Sequence, residues 1–336
     1  MAIETELPSV SIVTPVYNGE KFLAEAIDSI LTQTYHNWEY TIVDNCSTDR
    51  TLEIAHSFSR KDKRIRICQN SDLLPIIDNH NFAMSQISEK SRYCKVLHAD
   101  DLLFPECLSS MVEVAEAYPT TGIISSYRLA GNRVRSDGIS YNIQFLTGSE
   151  VCRRSLMEGY FFVFGNPSSL LLRSDIVRLH DPFYTQSFCP DVEACYTVLK
   201  ESDFGFVHQV LTYTRLHGES RTSSMEGLGM GYLANLNVLT KFGGFYLTQE
   251  EYEACLRKRL HDYYRFLGVS LMQYRESDFW RHQEEYLGSM GFSLNKSRIV
   301  RSAAGVFLEN IMRLEQYKKL FRRWFKKDIP ERVFRL

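Results

Sequence analysis

Four short apolar runs separated by helical stretches decide what the first half of this chain can fold into. Val10 to Val16 reads as a buried strand broken near its end by Pro15, and Tyr40 to Val43 as a second. Arg64 to Cys68 alternates charged and apolar residues and predicts a third, and Val96-Leu97 carries a fourth into Asp100-Asp101. Between the first two, Phe22/Leu23, Ala26/Ile27 and Ile30/Leu31 recur at helical spacing. Ser47 or Thr48 can cap a second helix carrying Leu52, Ile54 and Ala55, and a third is expected near Asn79 to Ile87. Strands alternating with helices need crossover connections. The expected fold is therefore α/β, a mostly parallel sheet with helices on both faces.

The pattern continues past Asp101. Pro105 is read as opening a helix through Leu108, Met111, Val112 and Ala115, which stops at Pro119. Gly122 to Tyr127, Leu170 to Leu172 and Phe204 to Tyr213 predict further strands. Residues 128 to 164 read as a loop and then a helix from Ser149 to Glu158. Ser174-Asp175 and Cys189-Pro190 each open another helix. From about Ser223 strand signals vanish, and Thr248 to Glu251 forms a capping box ahead of a long amphipathic run. The expected organisation is a sheet domain over 1–222 and a helical region over 223–336.

Composition excludes several classes. Lys and Arg total 39 against 41 Asp and Glu, so no global charge points to nucleic acid. The eight cysteines contain no CxxC pair and no zinc spacing, which suits a reducing cytoplasm. The opening residues lack a secretory pattern and no apolar run is long enough to span a bilayer, so the expectation is a soluble or surface-attached protein. Neither GxGxxG after the first strand nor GxxxxGK[ST] occurs, so phosphates must be held some other way. The last helix carries six cations among Leu, Phe and Trp over 317–327. That pattern suits an interfacial helix on anionic lipid, or a solvated face whose aromatics dock on protein.

The acid pair offers one answer for phosphates. Adjacent carboxylates at the carboxyl end of a buried strand sit where open α/β sheets place ligands, and hard oxygens favour Mg2+ or Mn2+ shared with a phosphate. A helix N-cap pair would use the same residues.

The opening Val10-Ser-Ile-Val-Thr-Pro-Val-Tyr-Asn-Gly-Glu20, the loop Val43-Asp-Asn-Cys-Ser-Thr-Asp49 and Leu97-His-Ala-Asp-Asp101 jointly resemble a family 2 glycosyltransferase of the GT-A fold, over about residues 9–222. The resemblance implies an inverting transfer from a nucleotide-diphosphate sugar, a UDP- or dTDP-sugar, to a glycan or lipid-linked acceptor in bacterial polysaccharide synthesis. It implies that Thr14, Pro15, Tyr17 and Glu20 line the nucleotide pocket and that Asp44 or Asn45 meets the base. Asp100 would approach the ribose or a metal-bound water, and Asp101 would hold Mg2+ or Mn2+ under the diphosphate. Asp191 falls at the place of the catalytic base, while Arg215 and His217 would meet the diphosphate or its metal. Three departures stand out: His98 replaces the first acid of the usual DxD, Asn45 replaces an Asp, and Pro190 replaces a Glu. Glu193 is a rival base. The alternatives are a nucleotide-sugar-binding protein without turnover and a nucleotidyltransferase.

Overall fold

The structure, a computed structural model, describes residues 7–159, 164–187, 189–217 and 228–327, with side chains as far as 312. The chain divides into two compact units, Met1–Ser224 with Lys241–Gln249, and Met225–Thr240 with Glu250–Leu336.

The first unit is built on one mixed sheet, ten-stranded among the described residues. Strands β1 (Val10–Val16), β2 (Trp38–Asp44), β3 (Ile65–Gln69) and β4 (Tyr93–Val96) are parallel in the order β3-β2-β1-β4. Beyond β4 come β9 (Leu171–Arg173), β6 (Thr121–Ala130), β10 (Asp203–Thr214) and β5 (Leu102–Leu103). The short β9 is antiparallel to both β4 and β6, so β6, and β10 parallel to it, again point the same way as β1. The long pairings are thus parallel and the short inserted ones antiparallel.

Side chains alternate across this sheet, and the burial pattern follows from it. Leu171 and Ile124 belong to the core formed with α1 (Leu23–Leu31), α2 (Thr51–Ser59) and α4 (Cys107–Ala117). Their chain neighbours Leu172 and Ile123 instead meet Ala194, Cys195 and Val198 of α7 (Pro190–Val198) around one small cavity. α3 (Ile76–Ser85), α5 (Gly148–Glu158) and α6 (Ser174–Leu179) complete the layers. Each fully buried aliphatic side chain contributes about 1.5–3 kcal/mol, which explains why the apolar runs dictate the strands.

Several local expectations need correction. Pro105 does not itself open α4, which starts two residues later at Cys107, and Leu102-Leu103 before it pairs antiparallel with Thr212 and Tyr213. Residues 128 to 146 are not plain loop. β7 (Arg133–Arg135) folds back on β6 around Gly131, whose φ of 57° lies in the left-handed region, and β8 (Phe145–Leu146) pairs with β10. Ser47 and Thr48 do not cap α2. The N-cap is Arg50, with no side-chain cap bond; Asp49 Oδ1, one residue earlier, accepts the Thr51 N–H at 3.0 Å, while Ser47 Oγ accepts from Asn18 N–H and Thr48 N–H donates to Asn18 Oδ1.

In the second unit, α8 (Met230–Tyr246, as far as Thr240), α9 (Gln249–Met272, from Glu250), α10 (Ser277–Ser289) and α11 (Lys296–Lys327) pack around Leu233, Leu236, Leu239, Leu267 and Leu287. The buried Gln283 accepts from the Tyr263 hydroxyl at 2.9 Å and donates to the Leu228 carbonyl at 3.0 Å. At Gly268 an added Cβ would lie 2.7 Å from the Ala303 nitrogen, so only glycine lets α9 and α11 approach so closely. Among the described residues no helix is long and apolar enough to cross a membrane.

Candidate active site

Parallel strands bring the segments that follow β1, β2, β4, β6 and β10 to one edge of the sheet, and the polar residues gather there. Asp101, only 2% exposed, is the most deeply buried acid of the pair that follows β4. Its Oδ2 accepts from Asn166 Nδ2 at 2.7 Å, and its Oδ1 from the backbone N–H of Arg215 at 3.3 Å. His98 Nδ1 lies 3.8 Å from Oδ2, and the His98 backbone is held by Ser168 Oγ. Burial pushes the Asp101 carboxyl above its ordinary value, and His98, Ser168 and Asn166 offset part of that.

Asp100 is half-buried. Its carboxylate lies 2.9 Å from His217 Nε2, and its carbonyl accepts from Arg215 Nε at 3.2 Å. Glu25 Oε2 holds the far end of that guanidinium at 2.7 Å. The Phe22 ring supports both partners, with the Arg215 guanidinium 4.5 Å from its centroid and the His217 ring 5.3 Å away. Periodicity shows Phe22 only as a helix-face residue. The fold makes it the platform beneath the two basic side chains.

A second cluster lies over the ends of β1 and β2. Thr14 is fully buried, donating to the Leu97 carbonyl at 2.6 Å and accepting from the Tyr40 hydroxyl, so it ties β1 to the acid-bearing segment. Pro15 is buried beside it, and Tyr17 is 49% exposed. Asn18 to Glu20 is stitched to the next loop: Gly19 N–H donates to Thr51 Oγ1, Glu20 N–H to Asp49, and Arg50 N–H to the Glu20 carboxylate. Asp44 is fully buried; its Oδ2 accepts from Ser47 N–H, and its Oδ1 has no partner among the described residues. Asn45 bonds Leu74 through both amide ends and accepts from Asn70, which also reaches Asn79.

Asp191 stands half-buried in the first turn of α7. The rival acid Glu193 is 2% exposed and held by Lys241, Thr185 and Cys189. Two further cations were not singled out from the sequence. Arg128, on β6, has its Nε sealed from solvent without a hydrogen bond among the described residues, and both Asp101 and Asp191 offset the burial of its charge. One side chain therefore lies within electrostatic reach of both acids. Lys95 is fully buried in β4, its Nζ donating to the Leu170 carbonyl at 3.0 Å, and burial lowers its pKa.

Among the described residues no three His, Cys, Asp or Glu side chains form a closed metal cage. Mg2+ and Mn2+ seldom use one: they take one or two carboxylates and complete their shell with water and phosphate. Asp100, Asp101 and the buried Asn166 Oδ1, which has no partner among the described residues, are hard oxygen donors of that kind.

A profile described as Glycosyl transferase family 2 matches residues 11–175. A Haemophilus influenzae protein named as an uncharacterized glycosyltransferase is 26% identical over 230 residues, 64% of this chain and 68% of its own length. The Streptococcus pneumoniae glycosyltransferase GlyG is 29% identical over 147 residues, 44% of this chain; the match spans only 46% of that relative. Among solved structures, S. aureus TarS 1-349 in complex with UDP-GlcNAc is similar with a TM-score of 0.61 at 17% identity, covering 84% of this chain and 80% of that one. The Pyrobaculum calidifontis mannosyltransferase PcManGT, in complex with GDP-Man and Mn2+, gives 0.55 at 13% identity, with 89% and 87% covered. At these identities the structural likeness is one of fold, the GT-A fold.

Asp101 yields a test that needs no ligand. Its folded carboxyl holds a proton more tightly than the unfolded chain does, so its linkage favours folding below the ordinary aspartate pKa of about 3.9. That contribution is lost as pH rises through the raised value. The melting temperature of the wild type relative to Asp101→Asn should therefore rise as pH falls from neutral toward about 4 in chelator-treated buffer, whatever the offset from the acceptor oxygen that the amide lacks. Calorimetry across pH checks this, and a difference that does not change with pH would contradict it.

Proposed function

From the premise that residues 11–175 form a glycosyl transferase family 2 domain, we propose that the sheet unit catalyses inverting transfer from a UDP- or dTDP-sugar to a hydroxyl acceptor, with Asp191 as the base. Use of a nucleotide-sugar donor is supported by the complexes of two fold relatives with UDP-GlcNAc and GDP-Man. The observation that carries the mechanism is the single guanidinium of Arg128, within reach of both Asp101 and Asp191.

In this reading Thr14, Pro15, Tyr17 and Glu20 shape the donor pocket floor and rim, and Asp44 or Asn45 meets the base. Asn45 Oδ1 already accepts from Leu74 and Asn70, whereas Asp44 Oδ1 has no partner among the described residues, which favours Asp44 for that contact. Asp101 would hold Mg2+ or Mn2+, with Asp100 and His217 beside it. When bound, such an ion supplies Lewis-acid stabilisation of the departing diphosphate. Arg215 and His217 add positive charge and hydrogen bonds where the leaving group develops its own.

Inversion is one displacement at the anomeric carbon, and the acceptor hydroxyl is a weak nucleophile until its proton is removed. A carboxylate within reach supplies about 10²–10⁴-fold. Glu193 suits this less well than Asp191, since it is only 2% exposed whereas Asp191 is half-buried. A glycan or lipid-linked acceptor, as in bacterial polysaccharide synthesis, would be served by the basic stretch over 317–327. Its side chains lie outside the described residues, but the preceding turns of α11 leave Phe307, Leu308, Ile311 and Met312 exposed, as a helix lying on a membrane surface at the cytoplasmic side would.

Asp191→Asn is expected to reduce transfer at least a hundredfold while UDP binding, read by calorimetry, stays within about twofold. Equal loss of both would remove Asp191 from the role of base, whereas wild-type binding without turnover would indicate a binding protein. Pyrophosphate release from a nucleoside triphosphate and a sugar phosphate would indicate a nucleotidyltransferase. Asp101→Ala should abolish the Mn2+ stimulation of UDP binding; stimulation that persists refutes the metal assignment. The full chain should co-sediment with phosphatidylglycerol vesicles in low salt and not with phosphatidylcholine vesicles, and equal recovery from both would argue against electrostatic attachment.

A further inference from the structure

Away from the acids, the sheet unit carries an open cavity of about 270 Å³ lined by Tyr118, Tyr141, Asn142, Gln144 and His208. It lies toward the amino-terminal halves of β6 and β10: Tyr118 precedes β6, and Gln144 adjoins β8, which pairs with the start of β10. Asp101 and Arg215 stand at the opposite, carboxyl edge. The cavity therefore shares strands with the active edge without being part of it.

Its walls are held in place from behind. His208 Nε2 lies 2.7 Å from the Ile143 carbonyl, so that nitrogen carries the hydrogen, and Nδ1 accepts from the Tyr127 hydroxyl at 2.9 Å. The Gln144 carbonyl accepts from Phe206 N–H at 2.9 Å, and the Ile143 N–H donates to Ser140. Tyr118 stacks on Phe145 at 5.1 Å, and the Tyr141 ring packs against His208 at 5.2 Å while staying 81% exposed. The backbone of 140–145 is thus fixed. The Tyr118 and Tyr141 hydroxyls and the Asn142 and Gln144 amides have no hydrogen-bond partner among the described residues.

This lining selects its ligand by chemistry. It holds no carboxylate, lysine or arginine, so neither a cation nor a phosphate finds a counter-charge there. Two phenols and two amides both donate and accept, as vicinal hydroxyls do, and an exposed aromatic face suits the C–H face of a pyranose ring. The volume lies just under the ~300–1,000 Å³ of pockets for drug-sized ligands, which is room for one or two sugar rings.

We propose that this cavity is a subsite for a neutral oligosaccharide, gripping the acceptor chain several sugars away from its reacting end. The proposal rests on the glycosyl-transfer reading only for the identity of the chain as acceptor. A chain held at two places gains effective concentration at the catalytic edge, so longer acceptors bind better than short ones.

The test uses the full-length protein without donor or metal. Saturation-transfer NMR and calorimetry are run with cellohexaose, maltohexaose and chitohexaose, on the wild type, Tyr141→Ala and Asn142→Ala. At least one of the three sugars should bind the wild type. Each variant should weaken that binding tenfold or more while melting temperature and UDP affinity remain at wild-type values. If the wild type binds none of them, or both variants bind as the wild type does, the subsite is refuted. Because no turnover is measured, failure here is distinct from failure of the Asp191 assignment.

Discussion

The buried carboxylate of Asp101 is the constraint on which the active edge depends. An ionised acid shielded from water is costly unless donors or a cation meet it. Its donors come from two places, the Asn166 amide ahead of β9 and the Arg215 amide after β10. Satisfying one acid therefore fixes three segments of chain against each other. Thr214 joins the same group through the Asn166 amide, and Arg128 through Thr214. An edge assembled in this way is held by its own hydrogen bonds, and under the proposed function it would supply the fixed dipoles and charges that transition-state stabilisation requires.

The other side of the edge is built differently. Asn18 and Cys46 both adopt positive φ, 51° and 59°, and the two loops that hold them exchange hydrogen bonds along their length. A residue with an ordinary side chain in that conformation is tolerated only where its surroundings hold it there. Here the loop-to-loop bonds do so. The Gly19 position shows how close the packing is: an added Cβ would come within 2.5 Å of Val16 and 3.5 Å of Ala99, next to the acids. The segments after β1 and β4 thus approach each other through small residues, and Thr14 ties β1 to the acid-bearing segment. Lys95, buried in β4 on the Leu170 carbonyl, fastens β4 to the segment that leads into β9.

Much of this was legible in the sequence because it is local. An apolar run or a four-residue repeat is decided by burial within a few residues of chain, so β1 spans the range read from it and α1 follows the predicted face. The acids of the edge were also visible as residue types at strand ends. The loop between Arg128 and Phe145 was opaque for the opposite reason. β7 and β8 are two or three residues long and are stabilised only by strands already in place.

By itself the sequence determined the alternation of strands and helices in the sheet unit and offered the candidates Asp100, Asp101, Asp191, Arg215 and His217. Only the tertiary structure decided which of these meet: the partners of the acid pair lie 65, 114 and 117 residues away along the chain. It also decided that Glu193 is committed to Lys241, that two acids offset the burial of the Arg128 charge, and that Phe22 carries two basic side chains. The physical reason is range. Burial leaves a period in neighbouring residues, whereas hydrogen bonds and charges between distant strands leave no trace until the sheet has closed.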